Sequence, residues 1–522
     1  MTANKRIFLN VIATYGRSLY ALVCGLFSAR WVLGALGQEN FGLYGVIGGM
    51  TIFISFINNL LSVSLSRYYS VCVGAANVSE NKSSGIFECQ KWFSSAVLIH
   101  TVIPLLLMAI GYPVGEYAIR NGWIVVPVDR IDTCIWVFRY TCIACFIGMS
   151  SVPYSAMYAA KQYIAELTLY SFATVTANMF FFYYMVSHTG DWLSRYAAWM
   201  AVVSVLPNVV ISIRALCIFP ECRLVPREMF SRSRIGQLAS FAGWQAFGGL
   251  GNMLRMQGMA ILLNRCVEFG SMRNSSMSVA HQIAAQSDML SGAMLGAFQP
   301  AIANAYGARD LARLKSLAFC CCKIGTLLSM VFALPLALEL PTVLALWLKE
   351  PPVYAVGLCW SILAAHIIDR SSAGHMLAVT AVGRIAAYQA FLGSSLIMAL
   401  PLAWFMLWLQ LGIYSVGWAL LVSTILCAWG RVWFARPVAG MSARYWFSHV
   451  LSPLAILAGL VLGFGCITSA LMPPSVIRVV VTTLICEIVL FACAWKFLLD
   501  FSEKEYLRAR LSCLLPWFAK WS

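Results

Sequence analysis

The chain has 522 residues, 61% of them hydrophobic and 11% charged, with a formal net charge of +16. Soluble domains carry about 25% charged residues, so the composition excludes that class and describes an all-α polytopic membrane protein. The positive excess does not point to nucleic acid, because Lys and Arg are scattered among short loops, and no alternating ten-residue pattern of the outer-membrane barrel kind is present.

Apolar runs long enough to span a bilayer predict fourteen helices. The first opens near Phe8, directly after "MTANKR", and has no A-x-A-like cleavage site, so it is expected to stay as a span and not to be removed as a signal peptide. The expected spans are 8–33, 42–64, 92–112, 132–155, 163–186, 192–218, 236–263, 276–302, 317–340, 355–379, 385–409, 413–433, 449–471 and 476–499. With both termini in the cytoplasm, twenty-four of the 36 Lys and Arg fall inside, eight fall outside and four lie within spans. The positive-inside rule selects that orientation. The eighteen cysteines, including Cys320 to Cys322, lack zinc or disulfide spacing and read as small apolar fillers.

"VGAANVSENK" (73–82) aligns with "YGARDLARLK" (306–315) at an offset of 233, pairing Gly74 with Gly307, Ala75 with Ala308, Asn77 with Asp310 and Lys82 with Lys315. At the same offset Gly37 meets Gly270 and Val46 meets Val279. Six spans separate the copies, which gives them one orientation and predicts two pseudo-symmetric six-helix lobes. The expected organisation is an N-lobe at 1–219, a cytoplasmic linker at 220–235, a C-lobe at 236–440 and two added spans at 441–500. The linker's Arg223, Arg227, Arg232 and Arg234 read as an orientation signal beside anionic lipid. A tail at 501–522, with the capping box Ser502 and Glu505 and a Leu507, Leu511, Leu514 stripe, is expected to lie on the inner membrane surface.

Six ionised side chains fall deep within spans: Arg17, Arg139, Arg255, Asp288, Asp369 and Arg370. Exposed singly to lipid they would cost about 15 to 20 kcal/mol, more than a protein's usual net stability of about 5 to 15 kcal/mol, so they must face one another or water. Helical spacing puts His366, Asp369 and Arg370 on one side of the tenth span, His281 and Asp288 on one face of the eighth, and Asn252, Arg255 and Gln257 beside glycines in the seventh. One reading pairs the charges across helices, Asp288 with Arg255 and Asp369 with Arg17 or Arg370. The other places four arginines and two aspartates around a water-filled cavity with an excess of two positive charges, which calls for an anion; Arg suits phosphate through its planar fork. Prolines at 104, 153, 207, 300, 335 and 401 are candidate hinges or ordinary residents of membrane helices.

The hairpin "SARWVLGALGQENFGLYGVIGGM" (28–50), with "GWQAFGGLGNMLRMQGMAILLNRC" (243–266) and "GAFQPAIANAYGARD" (296–310), resembles the oligosaccharide-lipid flippases of the multidrug/oligosaccharidyl-lipid/polysaccharide exporter (MOP) superfamily. The resemblance covers essentially the whole chain, though its motifs are loose. It implies alternating-access export of a polyprenyl-diphosphate-linked oligosaccharide, such as an O-antigen or other surface polysaccharide unit, for polysaccharide or lipopolysaccharide biosynthesis. The matching cationic-lumen candidates are Arg17, Arg139, Arg255 and Arg370, with Asn252 and Gln257 beside them. Asp288, Asp369 and His366 are candidates for ion coupling, to protons or sodium, or for orienting arginines. The expected partners are the lipid-linked substrate and membrane lipids, with no nucleic acid, metal or cofactor, and the expected state is a monomer. A multidrug or metabolite antiporter and a lipid II flippase stay open as neighbouring readings. A polysaccharide polymerase is disfavoured, because no phosphate loop, metal cluster or nucleophile-base arrangement is present and the longest outer loop is short.

Overall fold

A backbone amide in lipid has no water to bond, so each spanning segment closes its hydrogen bonds within itself. The computed structural model of the protein describes residues 3–49, 52–79, 82–123, 126–266, 270–348, 351–498 and 504, and the described residues form no strand. Helices occupy Ala3–Gly49 (α1), Ile52–Val78 (α2), Lys82–Arg120 (α3), Ile131–Ala160 (α4), Ile164–Ser187 (α5) and Leu193–Ile218 (α6). Arg232–Cys266 (α7), Gly270–Gly307 (α8), Leu311–Leu348 (α9), Ala355–Ser371 (α10) and Ala373–Val382 (α11) follow. The remainder are Ala386–Trp408 (α12), Tyr414–Ala439 (α13), Ala443–Trp446 (α14), Ser452–Leu471 (α15) and Val476–Cys493 (α16). Eight helical stretches among the described residues are long and apolar enough to cross a membrane; α7, α8 and α10, which carry most of the intramembrane charge, are not among them.

The expected spans fall on helix with four departures, the first being that 42–64 is divided between the end of α1 and α2, with residues 50–51 outside those described. The turn expected between the first two spans is a single break inside α1, at Gly37, whose φ of 75° is open to glycine at little cost. The tenth span is broken at Ser372 into α10 and α11. The thirteenth begins as the short α14, capped by Ser442, and passes through a π-type stretch, Phe447–Leu451, into α15. Prolines 104, 153, 207, 300, 335 and 401 all lie inside continuous helices. Apart from Lys504, the expected tail at 501–522 lies outside the described residues.

The chain divides into two compact units, Met1–Ala246 with Gly296–Leu314, and Phe247–Leu295 with Lys315–Ser522. This boundary cuts through α7 and α8 and does not fall in the 220–235 segment. The ends of both helices belong to the first unit because of what they touch there. Tyr68 donates its hydroxyl to the Gln237 carbonyl at 3.3 Å, and the Arg67 guanidinium stacks 5.2 Å from the centre of the Phe241 ring. Asn304 donates to the Ala160 carbonyl at 3.0 Å.

The 220–235 segment is docked on the start of α3. The Val225 amide donates to the Ser94 hydroxyl at 2.8 Å, Ser95 donates to the Glu228 carbonyl at 3.1 Å, and the buried Glu221 takes Lys161 at 2.5 Å. Arg234, hydrogen-bonded to Glu228 at 2.9 Å, holds that carboxyl below its ordinary range. Within the second unit α13 packs on α10, α11 and α12. Helices α15 and α16 lie on α9 through Leu334, Leu457, Val461 and Leu490. Arg478 at the start of α16 grips the buried Glu339 of α9 at 2.8 Å, and Thr482 donates to the same carboxylate at 3.0 Å.

Candidate functional site

Glycines set the position of the first cavity residue. At Gly251 of α7 an added Cβ would stand 2.9 Å from the Gly393 carbonyl of α12, so the two helices approach backbone to backbone. Asn252 and Arg255 follow within the next turn. Two turns of α8 separate His281 from Asp288, while α10 presents His366, Asp369 and Arg370 within one turn, as helical spacing requires. Thr424, Cys427 and Arg431 form the stripe from α13. All of these line one cavity of about 480 Å³ inside the second unit, a size typical of ligand sites.

The charges in this cavity form an alternating chain. Arg370 Nη2 lies 2.6 Å from Asp288 Oδ1 and 3.6 Å from Asp369 Oδ2, and Arg431 Nη2 lies 2.8 Å from Asp369 Oδ1. Arg431 also donates through Nη1 to the Asp369 carbonyl at 3.0 Å and to the Ser372 hydroxyl at 3.2 Å, which ties it to the break between α10 and α11. His366 sits 3.9 Å from Asp288 and 3.3 Å from the Ser291 hydroxyl. Arg255 is different. Its Nη2 donates to Asn252 Oδ1 at 3.0 Å, its Nε is buried without a hydrogen-bond partner, and among the described residues no carboxylate pairs with it. Three arginines against two aspartates leave an excess of one positive charge with the histidines neutral, and that excess sits on Arg255.

The pairing differs from the one that sequence spacing offered for Asp288, which takes Arg370 and not Arg255. Asp369 takes Arg431, with Arg370 farther off. Arg431 was expected near the cytoplasmic end of its span; α13 runs on to Ala439, where Gly440 ends it in the left-handed conformation, so Arg431 stands two turns inside and is buried. The side chain of Gln257 lies outside those described.

Arg17 and Arg139 belong to the first unit. Arg17 is half-buried on α1, with its Nε lacking a hydrogen-bond partner. Arg139 donates through Nε to the Tyr112 hydroxyl at 2.7 Å, lies 3.7 Å from Glu116 and stacks 4.9 Å from the centre of the Trp136 ring. The first unit has its own cavity of about 350 Å³, lined by Tyr44, Asn58, Thr141 and Ser204 among others, with no charged side chain in its lining.

No family's sequence profile and no curated protein matches the chain. Solved structures do match its fold. A MOP superfamily transporter from Pyrococcus furiosus, described as having a binding pocket of reversed polarity, superposes with a TM-score of 0.66 at 14% identity, over 84% of this chain and 96% of that one. A multidrug resistance MATE family transporter of the same superfamily in an outward-facing conformation gives 0.65 at 14% identity, over 84% and 96%. A MATE protein in its straight conformation gives 0.62 at 15% identity, over 84% and 96%. The protein therefore has the all-helical polytopic membrane fold of these transporters.

Proposed function

We propose that the protein is a transporter that moves a polyprenyl-diphosphate-linked oligosaccharide, a unit of O-antigen or other surface polysaccharide, across a bacterial inner membrane by alternating access. It is read as a monomer with both termini in the cytoplasm and two six-helix lobes followed by two added helices. One observation supports an anionic substrate above the rest: Arg255 opens into a cavity of about 480 Å³ with a guanidinium that no carboxylate among the described residues pairs with. A buried cation without a counter-charge is costly, and a diphosphate supplies that charge together with acceptors for the guanidinium's donors. Asn252 holds one edge of the Arg255 fork and leaves the other free. Arg17, with its own unpartnered Nε, is the candidate in the first unit. Arg139 is already engaged by Tyr112 and Glu116 and is not assigned to the headgroup.

A multidrug exporter is the second reading, favoured by the fold shared with a multidrug resistance MATE transporter. Among proteins of this fold one is described as having a pocket of reversed polarity, so the fold leaves the sign of the substrate open. The test is reconstitution into liposomes with a fluorescent polyprenyl-diphosphate disaccharide in one leaflet and with a cationic dye as the alternative cargo. The expected result is flipping of the diphosphate lipid, lost in Arg255→Ala, with no movement of the dye. Dye export with an unmoved diphosphate lipid would overturn the proposal in favour of the second reading.

A further inference from the structure

The end of α2 and the start of α3 run antiparallel and in close contact. Cys89 Sγ of α3 lies 2.7 Å from Cys72 Sγ of α2, and both thiols are free. One turn past Cys72 stands Ala76, and one turn before Cys89 stands Gly85, where an added Cβ would be 2.7 Å from the Ala76 Cβ. In the other direction Tyr68 stacks on Trp92 with ring centres 4.4 Å apart. The cysteines are therefore one rung of a helix register that is fixed on either side of them, and their closeness does not hang on a single side-chain torsion. A thiol is a weak donor and a weak acceptor, so the hydrogen bond between them is little reason to seat two sulfurs together. The two differ in access: Cys89 is 1% exposed, whereas Cys72 is half-buried.

We infer that Cys72 and Cys89 are a reversible dithiol site that hydrogen peroxide closes into a disulfide. The bond needs sulfurs about 2.05 Å apart, about 0.7 Å nearer than they stand, a distance that side-chain torsions cover without moving either helix. The half-buried Cys72 sulfur attacks a peroxide oxygen, the O–O bond breaks, and Cys72 becomes a sulfenic acid with release of one water. Cys89 then displaces the hydroxyl as a second water, and the S–S bond forms. Two thiols lose two electrons, one peroxide gains them, and both thiol hydrogens leave in the waters; a small dithiol reverses the step. Cys222 packs in the same apolar cluster and is fully buried, which makes it the competing partner to be tested. In the orientation proposed above this end of the hairpin faces the cytoplasm, where thiols are kept reduced and a disulfide is transient, so the site is open at rest. Closing it ties α2 covalently to the start of α3, where Gln90 donates to the Pro220 carbonyl at 2.8 Å and Ser94 takes the Val225 amide. The bridge thereby fastens α2 to the helix end on which the 220–235 segment is docked, whatever the transported cargo.

Trypsin separates the two sulfurs, because Lys82 lies between them: Cys72 is the one cysteine of peptide 68–82, and Cys89 is that of peptide 83–91. The full-length protein in nanodiscs is treated with hydrogen peroxide, unfolded with its remaining thiols alkylated, digested and read by mass spectrometry. The expected result is the two peptides joined, lighter by two hydrogens than the free pair, and released by dithiothreitol. In Cys89→Ser, Cys72 should be recovered as a sulfenic acid trapped by dimedone, whereas in Cys72→Ser peptide 83–91 should be recovered alkylated at the same peroxide dose. In bacterial cells carrying the native chain the peptides should be separate at rest and joined after peroxide. Recovery of both peptides alkylated from the treated native protein, or of Cys89 joined to Cys222, would overturn the pairing. A dimedone adduct on Cys89 in Cys72→Ser would overturn the order of attack, and a bridge already present in resting cells would overturn the reversible site.

Discussion

Gly74 of α2 and Gly307 of α8 each fill the space that a side chain on the other helix's crossing point would need. An added Cβ at Gly74 would lie 2.1 Å from the Asn304 carbonyl oxygen, and one at Gly307 would lie 1.9 Å from the Val71 carbonyl oxygen. Val71 and Asn304 are separated by the same 233 residues as the two glycines, so the contact is reciprocal. Because backbone is hit on both sides, neither helix can give way by a rotamer change. Gly74→Ala and Gly307→Ala are each expected to lower stability by about 1 to 3 kcal/mol and by similar amounts. Thermal unfolding in detergent measures this, and a large loss at one site with none at the other would contradict the reciprocity.

Arg431 and Arg255 should separate under mutation. Arg431 is buried against the partly exposed Asp369 and holds the break at Ser372, so Arg431→Ala removes that carboxylate's nearest partner and the tether at the break, at an expected cost of about 1 to 3 kcal/mol. Arg255 has no carboxylate to abandon. Arg255→Ala should unfold at nearly the native temperature yet fail to bind anions. Unfolding temperature and anion binding measured on the two purified variants check this, and equal destabilisation would refute the division of roles.

Glu339 and Arg478 fasten α16 to α9. Glu339 is 1% exposed, and truncating Arg478 to Ala leaves its charge with only Thr482 as donor. The expected loss is about 3 to 5 kcal/mol. Limited proteolysis of the chain between α15 and α16 should become faster in Arg478→Ala. Replacing both residues together, as Glu339→Met with Arg478→Met, should restore much of the loss, since no charge is then left buried. If the double variant is as unstable as the single one, the pair acts through its shape and not its charge.

Apolar run length made most of the fold legible, because in lipid a run of apolar residues has few alternatives to a helix of that length. What it missed came from polar residues at helix ends. The third span was expected to stop before Pro113, but α3 continues through it to Arg120, and that extension brings Glu116 to Arg139. The twelfth span was expected to stop at 433, but α13 continues to Ala439, which sets Arg431 deeper than expected. Gly440 was the available signal, since a glycine after "RPVA" marks a left-handed helix end and would have carried the span past Arg431. The face shared by His366, Asp369 and Arg370 was readable from spacing alone. Which carboxylate each arginine takes was not, because pairing depends on how helices far apart in the chain are rotated about their axes.

The reciprocal crossing of α2 and α8 has a meaning for descent. A contact in which each partner offers equivalent positions to the other has the form of a two-fold homodimer contact. A six-helix ancestor carrying one such glycine would have met a second copy of itself at this spot, and fusing the two genes would have preserved the meeting while freeing each half to acquire its own cavity. The first compact unit lines its cavity with neutral hydroxyl and amide groups and the second with guanidinium and carboxylate, a difference that two identical chains could not carry.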